Sequence, residues 1–269
     1  MSTVTTIPAA VRPAHPGAAG AVRHTLVLAR RNLRKAVASP GQIIDATLMP
    51  VVLSLVFIYA FGGAIAGDSA QYRQYLMPGI MALTITTTSR TSGIGLNADF
   101  ATGVMDRYRA MPVARSAVLT GRILADAVRL LAGQLVVLAF ALAIGFRIHT
   151  GPLQALGALG VVLLYGVALC WLHAFIGLAA RGMETVQSIG TLAMVPLQFG
   201  SSIFVDPGTM PGWLRLFVAN NPMTAVVDTA RHLLIGGPVG HEALVAVAWS
   251  VGLMAVFAPL AVWKYRTRS

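Results

Sequence analysis

The sequence predicts an all-α, polytopic membrane protein, and three observations predict it. Hydrophobic residues make up 56% of the chain and charged residues only 11%, well under the roughly 25% charged content of soluble domains. The apolar residues fall into six long segments, at 43–66, 75–97, 121–146, 153–180, 186–205 and 243–263, each near the ~20 residues that cross a bilayer as a helix. The 20 Lys and Arg against 9 Asp and Glu lie between those segments rather than on one water-facing surface, which argues against a nucleic-acid partner.

Residues 1–22 are rich in Pro, Ala and Gly without an apolar period, so they are expected to form a disordered cytoplasmic tail. A cleaved signal peptide is not expected, because the first apolar segment begins only near Ile43, behind a basic stretch. Residues 23–42 set Leu26, Val27, Leu33 and Val37 against Arg23, Arg30, Arg31, Arg34 and Lys35. That pattern suits a helix lying in the interface plane; it equally suits a plain positive-inside anchor. Ser39-Pro40-Gly41 breaks this helix before the permease region of residues 43–269.

The first span is uncharged from Ala46 to Gly67 and the fourth from Leu153 to Ala180. Pro50, Pro78 and Pro196 fall inside spans, where neighbouring helices can satisfy the freed backbone groups. The sixth span ends at Trp263-Lys264, an interfacial aromatic and cation. With the N-terminus inside, fourteen of the twenty Lys and Arg fall on cytoplasmic pieces. Arg73, Arg147, Arg215 and Arg231 fall outside, and Arg90 and Arg129 within spans. The positive-inside bias therefore places both termini in the cytoplasm.

No GxxxxGK[ST] loop is present and the only lysines are Lys35 and Lys264, so no P-loop binds ATP here. The six histidines lack metal-site spacing, and there is no GxSxG elbow. Cys170 reads best as a packing residue within the fourth span, and His173 as a packed or pore-facing histidine rather than a ligand. No catalytic, cofactor or metal site is expected on this chain.

Two polar segments stand out. The inner loop after the second span contains Gly103, Asp106, Arg107, Tyr108, Arg109, Met111 and Pro112. Gly103 and Pro112 bracket a short stretch whose mixed charge, Met and Tyr suit docking to another protein, or simply a solvated positive-inside loop. The outer stretch 204–236 contains Pro211, Trp213, Asn221, Pro222 and Arg231 in apolar pieces too short to span. Two short helices dipping into the outer leaflet would account for it, with Pro222 at the first position of the second helix. Arg231 either snorkels to the surface or pairs with Asp228, three residues earlier on one face. Asp126 and Arg129 have the same spacing and are expected to pair.

These motifs, in this order and spacing, resemble the permeases of ABC-2 type transporters, particularly daunorubicin-resistance-like drug exporters. The resemblance is carried by Gly103, Asp106, Arg107, Arg109 and Pro112 inside, and by Met210-Pro211-x-Trp213-Leu214, Asn221-Pro222-Met223-Thr224 and Arg231–Gly236 outside. It implies a plasma-membrane efflux subunit that pairs with a second copy of itself. Two separate ATPase subunits would hold ATP and Mg. The inner loop would be the coupling helix to those ATPases, and residues 204–236 a re-entrant outer gate. Arg90 departs from the small or apolar residue expected in its place; it snorkels inward or faces a wet cavity, and as an intramembrane charge it is a candidate functional site. Export of a drug, antibiotic or lipid is the leading expectation. A polysaccharide exporter on the same scaffold is the runner-up, disfavoured by only 7% aromatic residues. An ion-coupled carrier is less favoured, because no acid falls clearly mid-span.

Overall fold

The computed structural model describes residues 40–103 and 115–267. Among these residues every regular element is helical, as the apolar segmentation predicts. Residues 1–22, expected as a tail, and the expected interfacial helix with Arg30, Arg31, Arg34 and Lys35 lie outside the described residues.

The first rod is α1 (Pro40–Val56), a π-helical turn (Phe57–Phe61) and α2 (Gly62–Ala66). Pro50 lacks a backbone donor, yet the helix runs through it. Gly67 ends the rod with φ of 72°, a conformation that a Cβ would penalise. Asp68 then caps α3 (Ser69–Ala101), its carboxylate accepting from the Ala70 and Gln71 amides at 3.1 and 3.4 Å.

At 33 residues α3 is about 50 Å long at the usual helical rise. Its middle is buried on all sides, from Leu76 through Thr86. α4 (Arg115–Ala143), α5 (Pro152–Ala179) and α6 (Met183–Phe199) follow. Pro152 sits in the first turn of α5, where its missing N–H costs nothing, and the Gly151 amide donates to Gln154 Oε1 at 2.9 Å. A single 3₁₀ turn (Pro207–Thr209) precedes α7 (Gly212–Ala219), α8 (Pro222–Ile235) and α9 (Gly240–Thr267).

α5 is the central element, packed against α3, α4, α6, α8 and α9. Two glycines let α3 and α5 touch backbone to backbone: a Cβ at Gly177 would sit 2.9 Å from Gly93 Cα. Small residues at such crossings let helices approach closely where lipid supplies no hydrophobic drive between them. Large apolar residues instead cover the outer faces, including Leu135, Leu153, Leu192, Leu244 and Trp263. That distribution suits a surrounding of acyl chains rather than water.

Four described helices are long and apolar enough to cross a membrane, at Leu48–Ile65, Val118–Ala143, Pro152–Ala179 and Gly240–Thr267. They match the predicted first, third, fourth and sixth spans. The predicted second span lies in α3, which is long enough but carries Thr84, Thr86, Thr88, Ser89 and Ser92. Those hydroxyls are buried inside the bundle, and several of them donate to carbonyls within the helix, so they are not offered to lipid. The predicted fifth span, 186–205, is not one helix. α6 stops at Phe199, and the chain continues as irregular backbone through Asp206.

Candidate functional site

The end of α6 poses a local problem. The backbone from Gly200 to Asp206 is irregular, and Ser201, Ser202, Ile203 and Phe204 are buried. Buried carbonyls need donors, more so in a membrane protein. The chain supplies them from two elements, α3 and α8.

From the first turns of α3, Tyr72 donates its hydroxyl to Phe204 O at 2.9 Å and Tyr75 to Ser202 O at 2.9 Å. From α8, Arg231 donates Nη2 to the same Ser202 carbonyl at 2.8 Å and Nε to Tyr75 O at 3.2 Å. The guanidinium also pairs with Asp228 through Nη1 and lies 3.9 Å from the centre of the Tyr75 ring, a cation–π contact. Ser202 Oγ donates to Asp228 at 2.7 Å and closes the cluster. One arginine thus serves four partners, a task for which a planar five-donor group is suited and an ammonium is not.

Asn221 does comparable work at the start of α8. Its Oδ1 accepts from the Met223 amide at 2.9 Å as a helix cap. Its Nδ2 donates to Leu197 O and Gly200 O at 2.8 and 2.6 Å, tying the start of α8 to the end of α6. Pro222 occupies the first turn. Ile203 presses against Gly79 of α3, where a Cβ would lie 2.9 Å from the Ile203 carbonyl. Asn221, Pro222 and Arg231 therefore belong to one hub around residues 197–206.

Pro211 and Trp213 do not join that hub. Pro211 precedes α7 in an extended conformation, and Trp213 is 73% exposed. Both lie on the stretch 204–236 and make no hydrogen bond to that network. Tyr72, Tyr75 and Ser202 escaped the sequence reading. The Tyr72-x-x-Tyr75 pair at helical spacing was a usable signal, but the carbonyls it serves lie 132 and 127 residues away.

A second polar system joins α3, α4 and α5. Ser92 donates to Asp126 at 2.5 Å, and Asp126 pairs with Arg129 at 2.9 Å, as the spacing predicts. Asn97 donates to Gly177 O and Ala180 O at 3.0 and 3.1 Å, closing the C-terminal end of α5. Gln134 donates to Met81 O at 2.7 Å. His173 and Cys170 are fully buried, as packing residues would be. Arg90 is half-buried between α3 and α6, and its Nη1 donates to Thr191 Oγ1 at 3.0 Å.

The inner loop is described only at its stems. α3 ends at Ala101, and Gly103 follows with φ of 69°, the break expected of that glycine. α4 begins at Arg115. Arg122 of α4 pairs with Asp99 of α3, so the two stems are joined by a charge-assisted bond. Phe100 packs edge-on against Tyr265 of α9, with ring centres 5.8 Å apart. Asp106, Arg107, Tyr108, Arg109, Met111 and Pro112 lie outside the described residues.

Comparison with known proteins connects this architecture to a family. The family model described as ABC-2 type transporter matches residues 23–235. The chain is 35% identical over 254 residues to the daunorubicin resistance ABC transporter permease protein of Streptomyces coeruleorubidus, covering 94% of this chain and 90% of the relative. It is 28% identical to a probable doxorubicin resistance ABC transporter permease protein of Mycobacterium tuberculosis, over 94% of both chains. A doxorubicin resistance ABC transporter permease protein of the same species is 24% identical, over 72% of this chain and 70% of the relative. The matched region takes in the inner loop, the bundle centred on α5, and the hub built by Asn221 and Arg231; this chain belongs to the ABC-2 type transporter family.

Proposed function

We propose that the chain is the transmembrane subunit of an ATP-driven exporter that moves a hydrophobic or amphipathic compound, such as a drug, antibiotic or lipid, outward. The observation that carries this reading is the 35% identity, across 94% of the chain, to a permease named for daunorubicin resistance. The subunit crosses the plasma membrane six times with both termini cytoplasmic, in accord with the bias of its Lys and Arg. Two copies pair around the translocation path, and two separate ATPase subunits bind ATP and Mg beneath them.

In this reading the inner loop from Gly103 to Pro112 seats on the ATPase. The Arg122–Asp99 pair lets a push on the loop reach α3 and α4 together rather than bend one stem. α3 passes that movement along its length to Tyr72 and Tyr75, which hold the irregular outer turn by its carbonyls. The outer stretch acts as the gate: Asn221 and Arg231 lock it to α6 and α3, and the dipping helices α7 and α8 move with it. Supporting this division, the hub is built from side chains of both α3 and α8, so a shift of α3 is felt at the exit.

Replacing Asp106 or Arg107 with Ala is expected to leave the protein inserted and able to hold its partner ATPase. Transport should fall at least tenfold while ATP hydrolysis persists. Vesicle uptake and ATPase rate, measured on the same preparation, check this. Normal transport by both variants would remove the loop from the coupling role.

A further inference from the structure

The charge bias leaves four arginines on the outer side, against the positive-inside trend. Arg231 is engaged by Asp228 and the Ser202 carbonyl, and Arg215 stands on α7. The fold brings the other two, Arg73 and Arg147, to one place. Arg73 lies early in α3, and its guanidinium rests on the loop that joins α4 to α5. Its Cζ and Nη2 lie 3.3 Å from the position a Cβ of Gly145 would take. Gly145 has φ of 95°, a conformation that disfavours a side chain, so bare backbone forms the seat. Gln74 pins the same loop. It accepts from the Arg147 amide at 3.3 Å and donates to Gly145 O at 3.5 Å. Arg147 is thereby held two residues beyond the seat of Arg73, with its side chain exposed.

Neither arginine has a carboxylate within ion-pairing distance among the described residues. The Arg73 guanidinium makes no hydrogen bond there either, and of its nitrogens only Nε is sealed from the surface without an acceptor. Two uncompensated cations held side by side suit an anion with several acceptor oxygens. The surroundings say which anion. Leu142 and Leu153 flank this loop and are exposed, so the arginines stand where an apolar outer face ends. A soluble anion would leave those leucines in water; a lipid phosphate brings the acyl chains that cover them.

We propose that Arg73 and Arg147 form a clamp, seated on Gly145 and fixed by Gln74, for the phosphate of an anionic phospholipid in the outer leaflet. The leaflet rests on the topology given under the proposed function; the lipid chemistry does not, and it is testable without transport.

Two probes with the same acyl chains differ in the phosphate: phosphatidylglycerol and diacylglycerol. Each is titrated onto the full-length permease in detergent, and bound lipid is read by native mass spectrometry. The wild type should prefer phosphatidylglycerol by roughly tenfold or more, since a cation near an anionic lipid surface contributes about fivefold. Arg73→Gln and Arg147→Gln should each weaken phosphatidylglycerol roughly fivefold and leave diacylglycerol unchanged. Arg73→Lys should retain part of the preference, as a point charge without the fork. Arg215→Gln removes the same charge from α7 and should change neither lipid.

Arg147 is exposed, so its variant carries the test if Arg73→Gln fails to insert. No preference between the lipids, a preference unaltered by Arg147→Gln, or an equal loss in Arg215→Gln overturns the clamp. Displacement of phosphatidylglycerol by inorganic phosphate at equal concentration assigns the site to a soluble anion and overturns the lipid. The side is read on Arg147→Cys, because the native Cys170 is buried: an impermeant maleimide should label it on intact cells. Labelling from the cytoplasmic side alone, with the lipid preference lost in Arg73→Gln, sustains the clamp and refutes the topology instead.

Discussion

Gly177→Val is expected to abolish the folded bundle. At this point α3 and α5 are in backbone contact, and a Cβ on residue 177 would meet Gly93 Cα and C at 2.9 Å. Neither atom is the movable end of a side chain, so the helices themselves must separate. Overpacking of a core costs about 1–3 kcal/mol for modest insertions, and valine adds two further methyl groups to a site that cannot take one. Separation also strands Asn97, whose amide now satisfies Gly177 O and Ala180 O, and an unmet buried carbonyl adds roughly 1–3 kcal/mol. The loss should therefore exceed about 3 kcal/mol, enough to remove monodisperse protein after extraction. Gly177→Ala should fold with a clearly lowered Tm. Gly160→Ala and Gly252→Ala, which meet nothing within 4 Å, should match the wild type. Equal stability of the Gly177 and Gly160 variants would contradict the crossing described here.

Arg231→Ala should be nearly as damaging, at the opposite end of α3. The substitution leaves Asp228 without its cation and withdraws donors from Ser202 O and Tyr75 O. Breaking a buried ion pair by removing one partner costs about 3–5 kcal/mol. Arg231 and Asp228 keep some side-chain exposure, 13% and 22%, which moves the expectation to the low end, about 3 kcal/mol. Arg231→Lys should recover only part, because an ammonium cannot reach the Ser202 and Tyr75 carbonyls as a fork does. The double variant Arg231→Ala with Asp228→Ala should be less unstable than the single one, since it removes the stranded carboxylate. Thermal unfolding in detergent orders the four proteins. A double variant as unstable as the single would mean that the ion pair contributes little and that the two carbonyl bonds hold the turn.

Much of this fold was legible because lipid leaves a chain few options. Uncharged runs such as Ala46–Gly67 and Leu153–Ala180 have no soluble alternative, and four of the expected spans stand as apolar helices. Local chemistry was legible too: Asn221-Pro222 announces a capped helix start, and the i,i+3 spacing announces Asp126–Arg129 and Asp228–Arg231. What the sequence concealed depends on distance in the chain. That α6 ends at Phe199 follows from donors on Tyr72, Tyr75 and Asn221, which make irregular backbone affordable there. Hydropathy sees only the apolar residues that continue past that point. The hydroxyl-rich middle of α3 was likewise opaque, since composition does not say whether a threonine faces lipid, its own carbonyls or another helix. Pro211 and Trp213 lie close in sequence to the hub residues, yet Pro211 precedes a separate short helix and Trp213 is exposed.

ATP dependence of transport tests the central claim most directly. Inside-out vesicles containing this permease together with its partner ATPase should accumulate an amphipathic fluorophore when ATP and Mg are supplied. Accumulation should fail when either subunit is omitted, and it should survive collapse of the proton and sodium gradients. Accumulation by the permease alone, driven by an imposed ion gradient and indifferent to ATP, would contradict the account.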